Sequence, residues 1–296
     1  MTASPGAPGA SNEPVSIRRA EEQARIEPWT LSPVHVALHL ARLGRLVVPI
    51  ARREVAARYR GSRLGGLWAL LDPLVVFVLY AFVFSVVFQA RWGDDRSRTG
   101  YAFALFAGLT VYGLLSDSAA AAPGLVFDYR SFVRRALFPL EALPLARFLS
   151  SAVPSLVSTA LLLIALAIFG RGPCWSWLLI PLVLAPPALL GLGAVYAISS
   201  LGVFVRDLAH VVRWLLLAGL FLSPIFYPAE RLPGALRTVQ SFNPVTHLVR
   251  DFRRVVLAGE PPVWGAYLVV LIASLSFAVI SFAGFQRAKR LFADVL

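Results

Sequence analysis

The chain alternates long apolar runs with short breaks rich in arginine. The sharpest boundary lies before residue 64. There Arg52, Arg53, Arg58, Tyr59, Arg60, Gly61, Ser62 and Arg63 feed without a linker into an apolar run, 64–90, whose only charge is Asp72. A helix over that run rises about 40 Å, more than the ~30 Å of a bilayer's hydrocarbon core. The same reading predicts spans over 66–88, 101–122 (weakened by Asp117), 153–169, the uncharged stretch 173–205, a short 214–227, and 263–285. Pro181, Pro186 and Pro187 predict kinks in the fourth span. Residues 228–262 hold five arginines with Pro, Gly and Asn, yet they are too apolar for a free loop. This pattern predicts half-helices dipping into the outer interface between the fifth and sixth spans. Ahead of the first span, Ser32 is a candidate N-cap with Pro33 at the first helical position. Over 33–48, His35, His39, Arg42 and Arg45 fall on one side of a helix and Val36, Leu40, Leu43 and Val47 on the other. A basic face opposite an aliphatic one predicts a helix lying at the membrane interface.

Composition narrows the class. Of 296 residues, 58% are hydrophobic and 15% charged, against about 25% charged in soluble domains, and the mean hydropathy is +0.71. The runs are too long, and too poor in period-2 alternation, for barrel strands. The predicted fold is therefore an all-α polytopic membrane protein with six transmembrane helices. The net charge of +12 is spread among loops, which argues against a nucleic-acid-binding domain. With both termini cytoplasmic, 19 of the 28 Lys and Arg residues fall inside, as the positive-inside rule asks. Residues 1–30 read as a disordered cytosolic tail rich in Pro, Gly, Ala and Ser, without the basic start and apolar core of a signal peptide. Residues 31–63 form the interfacial helix and a cytosolic gate segment, and 64–296 the membrane domain. The single cysteine, Cys174, excludes an intrachain disulfide.

The chemistry follows from what is present. The only lysine, Lys289, has no Gly-rich loop before it, so the phosphate cradle of an ATPase is missing. His35 and His39 have the i, i+4 spacing of metal ligands, but no carboxylate or cysteine accompanies them, which favours the polar face of an interfacial helix. No nucleophile–base pair stands out, so neither an enzyme nor a cofactor is expected. Three groups remain as candidates. Arginines of 52–63 suit phosphate oxygens, against the plainer reading of anchoring by positive charge. Phe77, Tyr80, Phe84 and Phe88 share one helix face and suit either a sugar path or packing between helices. Within 124–138, Phe127, Phe132, Val133 and Phe138 can fill a groove while Arg130, Arg134 and Arg135 meet acidic rims. From the residues alone, docking to a partner and binding of anionic lipid fit this segment equally. Asp72 and Asp117 are carboxylates in or beside spans and so functional candidates, with Arg60 or Arg63 placed to pair with Asp72.

Several motifs in order carry a resemblance: Arg58-Tyr59-Arg60-Gly61-Ser62, Leu64-Gly65, Leu67-Trp68, Asp72-Pro73, Phe138-Pro139, Glu141, Leu143-Pro144, the turn from Phe204 to Asp207, Leu222-Ser223-Pro224-Ile225-Phe226-Tyr227-Pro228, and Asn243-Pro244. Across nearly the whole length after residue 30, the chain resembles the membrane subunit of bacterial ABC exporters for lipid-linked polysaccharide, of the O-antigen and teichoic-acid type. It departs from that pattern at Asp72, where the family favours Asn, and at His247, where it often has Pro. The resemblance implies a multi-pass permease of the bacterial cytoplasmic membrane. A second copy of the chain would complete the pathway, and two copies of a separate cytosolic ATPase subunit would bind the ATP. The cargo would be a polysaccharide on an undecaprenyl-type lipid. The resemblance also singles out Arg58, Tyr59, Arg60 and Gly61 as a gate for the lipid headgroup, and favours docking of the ATPase for 124–138. Rival readings are an ABC permease for drugs or small lipids, a proton-coupled transporter using Asp72 and Asp117, and a membrane-embedded transferase. Transport that survives loss of ATP, or turnover of a lipid by the purified chain alone, would mark the last two.

Overall fold

A computed structural model describes residues 33–87, 98–130, 138–170, 172–228 and 232–292. Among them every regular element is helical. In chain order these are α1 (Pro33–Arg42), α2 (Gly44–Arg58), α3 (Trp68–Ala81), α4 (Arg98–Ala120), α5 (Leu125–Asp128), α6 (Ala142–Phe169), α7 (Ile180–Gly202), α8 (Leu208–Leu222), α9 (Gly234–Ser241), α10 (Pro244–Arg253) and α11 (Trp264–Ala288). Short tighter or wider turns extend α3, α7, α10 and α11, so that five stretches are long and apolar enough to cross a membrane: Gly65–Phe84, Gly100–Ala120, Ala142–Phe169, Trp175–Gly202 and Trp264–Leu291. The protein is an all-helical, polytopic membrane protein.

Three predicted elements differ. The third span, predicted over 153–169, starts eleven residues earlier, at Ala142. The fifth span, predicted over 214–227, starts earlier, at Leu208, and stops at Leu222. Ser223 is extended, with φ −98° and ψ 150°, the conformation that a following proline imposes. At 15 residues, α8 rises only about 22 Å, short of the ~30 Å hydrocarbon core. The single interfacial helix predicted over 33–48 is instead two helices bent by 67°, with α2 running on to Arg58. The two halves follow different surfaces. His39 of α1 packs on Phe282 of α11, with ring centroids 6.2 Å apart, whereas Val47 and Ala51 of α2 are buried with Ala142 and Ala146 of α6. One straight helix cannot follow both.

The most buried helix is α4. Leu105, Ala107 and Val111 are fully enclosed, and α4 packs against α6, α7 and α10. α11 lies along α7, and at Gly193 a Cβ would sit 2.7 Å from the Phe277 ring and 3.0 Å from the Ala278 backbone. α7 runs as one helix through Pro186 and Pro187. A proline frees the carbonyl four residues before it, which in lipid must find another donor. For Pro186 that carbonyl is Leu182, and the Tyr267 hydroxyl of α11 donates to it at 2.9 Å. At the end of the molecule away from α2, Arg253 of α10 donates to three carbonyls, Ala104 at 2.8 Å, Pro224 at 2.7 Å and Ile225 at 2.9 Å. One guanidinium thereby joins α10, the start of α4 and the broken end of α8. Gly108 leaves room for it, since a Cβ there would meet the Arg253 Nη2 at 2.6 Å.

Candidate functional site

The basic end of the bundle gathers α2, the turn into α3, α5 and the start of α6. α2 ends at Arg58, and the chain turns into α3 through Gly61 (φ 88°) and Gly65 (φ 50°), left-handed positions that glycine adopts without strain. The turn is held by the Trp68 indole, whose Nε1–H donates to the Ser62 hydroxyl at 2.7 Å. Arg52, Arg53, Arg58, Arg60 and Arg63 are all exposed there, and Tyr59 is half-buried. The structure thus brings Arg58, Tyr59, Arg60 and Gly61 to one rim. Arg58 faces Asp117 of α4 closely enough to act on its charge. Asp72 is exposed, and the ion pair expected with Arg60 or Arg63 is absent among the described residues.

Of the docking candidates, Phe127 and Arg130 are exposed beside α5 and Phe138 is half-buried. Phe132, Arg134 and Arg135 lie outside the described residues, as does Phe88. The other three rings of the aromatic stripe face protein. Phe77 meets Phe106 at 4.6 Å and Phe103 at 5.9 Å between ring centroids, and Phe84 meets Tyr101 at 5.4 Å and Phe226 at 6.1 Å. Tyr80 lies 6.1 Å from Phe84 and 6.3 Å from Phe226. Within the protomer these rings are the contact by which α3 packs on α4 and the turn after α8.

Two carboxylates organise this end: Glu54, which the sequence does not single out, and Glu141, which it marks only as part of a motif. Glu54, on α2, has a side chain only 11% exposed. It accepts hydrogen bonds from the Tyr129 hydroxyl at 2.8 Å and the Ser150 hydroxyl at 2.6 Å. The Arg147 Nε stands 3.2 Å away, near enough to pair in charge though not aligned for a hydrogen bond, and Arg147 also bonds Asp128 of α5 at 3.1 Å. Burial, reinforced by the bond to Glu54 and its charge, pushes the Tyr129 hydroxyl up to about 12, against the opposing pull of Arg147 and Arg53. Tyr129 therefore stays protonated and donates. One buried carboxylate thus joins the helix that carries the arginine rim to the segment that begins at α5. Glu54 reads in the sequence as one acid among arginines, but it stands seven residues after Val47 and three after Ala51, on the buried stripe of α2.

The second is Glu141, 5% exposed at the head of α6. Its carboxylate takes His39 of α1 at 3.1 Å on one oxygen and Lys289, just after α11, at 3.2 Å on the other. Its backbone carbonyl accepts from the Tyr196 hydroxyl at 2.8 Å. Burial works to raise the carboxyl's pKa, but Lys289, a backbone hydrogen bond and His39 outweigh it and hold the group below its ordinary value. Glu141 ties the first and last described helices to the residue at which the chain returns from 124–138.

Residues 45–257 match the model of the ABC-2 type transporter family. The chain belongs to that family. The matched stretch opens at the start of α2 and closes beyond α10, so it holds the arginine rim, α5 and both broken helices of the opposite end. ABC-2 membership places the chain in a membrane as a transport subunit that works with an ATPase. The chain is similar to the O-antigen export system permease protein RfbA of Myxococcus xanthus, 26% identical over 253 residues that cover 84% of this chain and 94% of that one. Two proteins of the same name from Klebsiella pneumoniae are 23% and 24% identical, over 89% and 87% of this chain and 99% and 97% of theirs.

Proposed function

We propose that this ABC-2 permease exports a polysaccharide carried on an undecaprenyl-type lipid, moving it from the cytosolic to the outer leaflet. The observation that carries the reading is the nearly full-length similarity to three permeases named for O-antigen export. The basic end is cytosolic, two copies of the chain form the pathway, and ATP is hydrolysed on two copies of a separate subunit that docks on residues 124–138. Arg58, Tyr59, Arg60 and Gly61 receive the pyrophosphate headgroup at the cytosolic mouth, where guanidinium forks suit phosphate oxygens. Glu54 supplies the physical link. Movement of α5 and Tyr129 by a docked ATPase reaches α2 through the hydrogen bond at 2.8 Å and so shifts the arginine rim at the end of that helix. α3 supports a second copy, because Val75, Val78, Leu79, Phe82 and Val86 on its outer side are exposed in the protomer.

Depletion of the chain in its host tests the cargo. A lipid-linked polymer accumulating on the cytosolic side is the expected result, and normal surface glycan with retention of a drug or small lipid would replace the polysaccharide reading. Docking is tested by co-purification with the ATPase. Arg130→Glu, Arg134→Glu and Arg135→Glu together are expected to abolish it without unfolding the spans, and unchanged recovery of the ATPase would remove 124–138 as its seat.

A further inference from the structure

A groove of about 570 Å³ opens beside the arginine rim, between α2, the turn into α3, and α6. Its walls are Val48, Val55 and Ala56 of α2, Ala69 of α3, and Leu149 and Val153 of α6. Gly65 and Gly66 line it as well, and a Cβ on either would meet nothing within 4 Å. Only two lining residues have polar side chains, Arg52 and Tyr59. Arg52 is exposed and has no acidic partner among the described residues. Water gains few hydrogen bonds against such walls, and the groove lies where the chain enters its first span. Its volume is within the roughly 300–1,000 Å³ of built ligand pockets, enough for one acyl chain and short of a long polyprenyl tail. An apolar slot with an unpaired cation at its rim is complementary to a lipid whose headgroup is anionic.

We infer that this groove holds one acyl chain of an anionic phospholipid from the surrounding leaflet, with the lipid phosphate on the Arg52 guanidinium. The bound chain fills the space between α2, α3 and α6 and so fixes the helix whose end carries the gate. The inference rests on the proposed reading only in placing this end at the cytosolic leaflet, where anionic lipids gather. The bound lipid is a resident of the membrane and not the cargo.

Native mass spectrometry of the delipidated, purified chain tests this, with phosphatidylglycerol and phosphatidylcholine of identical chains as probes. One phosphatidylglycerol is expected to bind well above the loosely held remainder, with phosphatidylcholine weaker. Arg52→Glu weakens the phosphatidylglycerol by about tenfold, as loss of a charge-assisted contact requires. Val153→Trp and Ala56→Trp each fill the slot and remove the tight lipid. Ala56 is on the exposed side of α2, so its variant remains informative should the α6 substitution fail to fold. Equal affinity for the two lipids, or tight binding that persists in Ala56→Trp, overturns the assignment. So does displacement of phosphatidylglycerol by a polyprenyl phosphate at lower concentration, which gives the slot to the cargo. Tight lipid binding in a chain whose depletion leaves surface polysaccharide intact would refute the proposed export function while leaving this site standing.

Discussion

α3 and α4 are neighbours in sequence and in space, and they invert the rule that the most apolar segment is the most buried. The most apolar 18 residues of Gly65–Phe84 have a mean hydropathy of 2.2 and only 6% of them are buried, whereas those of Gly100–Ala120, at 1.4, are 72% buried. In water the order would be reversed. In a bilayer the lipid tails are as apolar as leucine, so apolar character earns a helix no place in the centre. α4 occupies the centre because it offers small and polar side chains at close contacts. The Thr110 hydroxyl returns to the Phe106 carbonyl at 2.8 Å and the Ser118 hydroxyl to that of Leu114 at 2.7 Å. Tyr112 donates to the Leu216 carbonyl of α8, and Gly108 admits Arg253. α3 meets this centre with one aromatic face and leaves its aliphatic side exposed.

The largest expected effect comes from cutting into the centre. Leu105 of α4 is fully buried, and Leu105→Ala should cost about 2–5 kcal/mol, the range for a leucine removed from a packed site. Reversible unfolding in mixed micelles measures it. A loss no greater than that of an exposed α3 substitution would end the distinction between the two helices. Next comes Arg253→Lys. A single ammonium cannot reproduce a planar fork spread over three carbonyls, and about 1–3 kcal/mol should be lost as the Ala104, Pro224 and Ile225 carbonyls go unpaired. A lysine variant as stable as the parent would show that water reaches this end of α4.

How much of this was legible follows from the same physics. The apolar runs located the spans, because hydropathy reports contact with lipid and lipid surrounds most of them. The half-helices at 228–262 were legible because the segment is too apolar for a free loop and too broken by Pro and Gly for a span. The cap that starts α10, where the Asn243 side chain accepts from the Val245 N–H at 3.0 Å, is seen only in the fold. Hydropathy marked α4 as the weakest of the long spans, for it has no term for protein packed on protein. The break between α1 and α2 escaped because it depends on two docking surfaces distant in sequence. The partners of the Glu54 and Glu141 carboxylates lie between 75 and 148 residues away, and no local pattern announces them. Arg58–Gly61 were found together at one rim because they are adjacent in the chain.

A smaller effect separates the buried carboxylate at the basic end from its exposed counterpart Asp72 on α3. Glu141 has its pKa lowered in the fold, so its contribution is fully present above the ordinary value of 4.5 and is lost as pH falls through the lower folded value. Acidification through that window should loosen the hold of α6 and α11 on α1, seen as faster thiol labelling of Leu38→Cys on the exposed side of α1. Glu141→Gln should flatten that dependence at every pH in the window, while Asp72→Asn leaves it intact. A pH profile unchanged by Glu141→Gln would show that His39 and Lys289 do not hold α1 through this carboxylate.

The smallest expected effect is the most discriminating. Val78 lies on the outer side of α3 and is 57% exposed. In the isolated protomer Val78→Ala exchanges one apolar contact with lipid for another, and its unfolding free energy should change by less than ~0.5 kcal/mol. If a second copy covers α3, as the proposed pathway requires, the same substitution removes packing between protein surfaces. The loss must then appear in the dissociation of the pair and not in the unfolding of the chain. Measuring both on one variant divides the possibilities. A change in dissociation alone places the partner copy on α3. No change in either leaves this side to lipid and moves the interface elsewhere, the exposed Trp214, Leu215 and Phe221 of α8 being the next apolar surface available. A change in unfolding as large as that of Leu105→Ala would mean that α3 is held by contacts within the protomer after all, and the inversion between the two helices would fail.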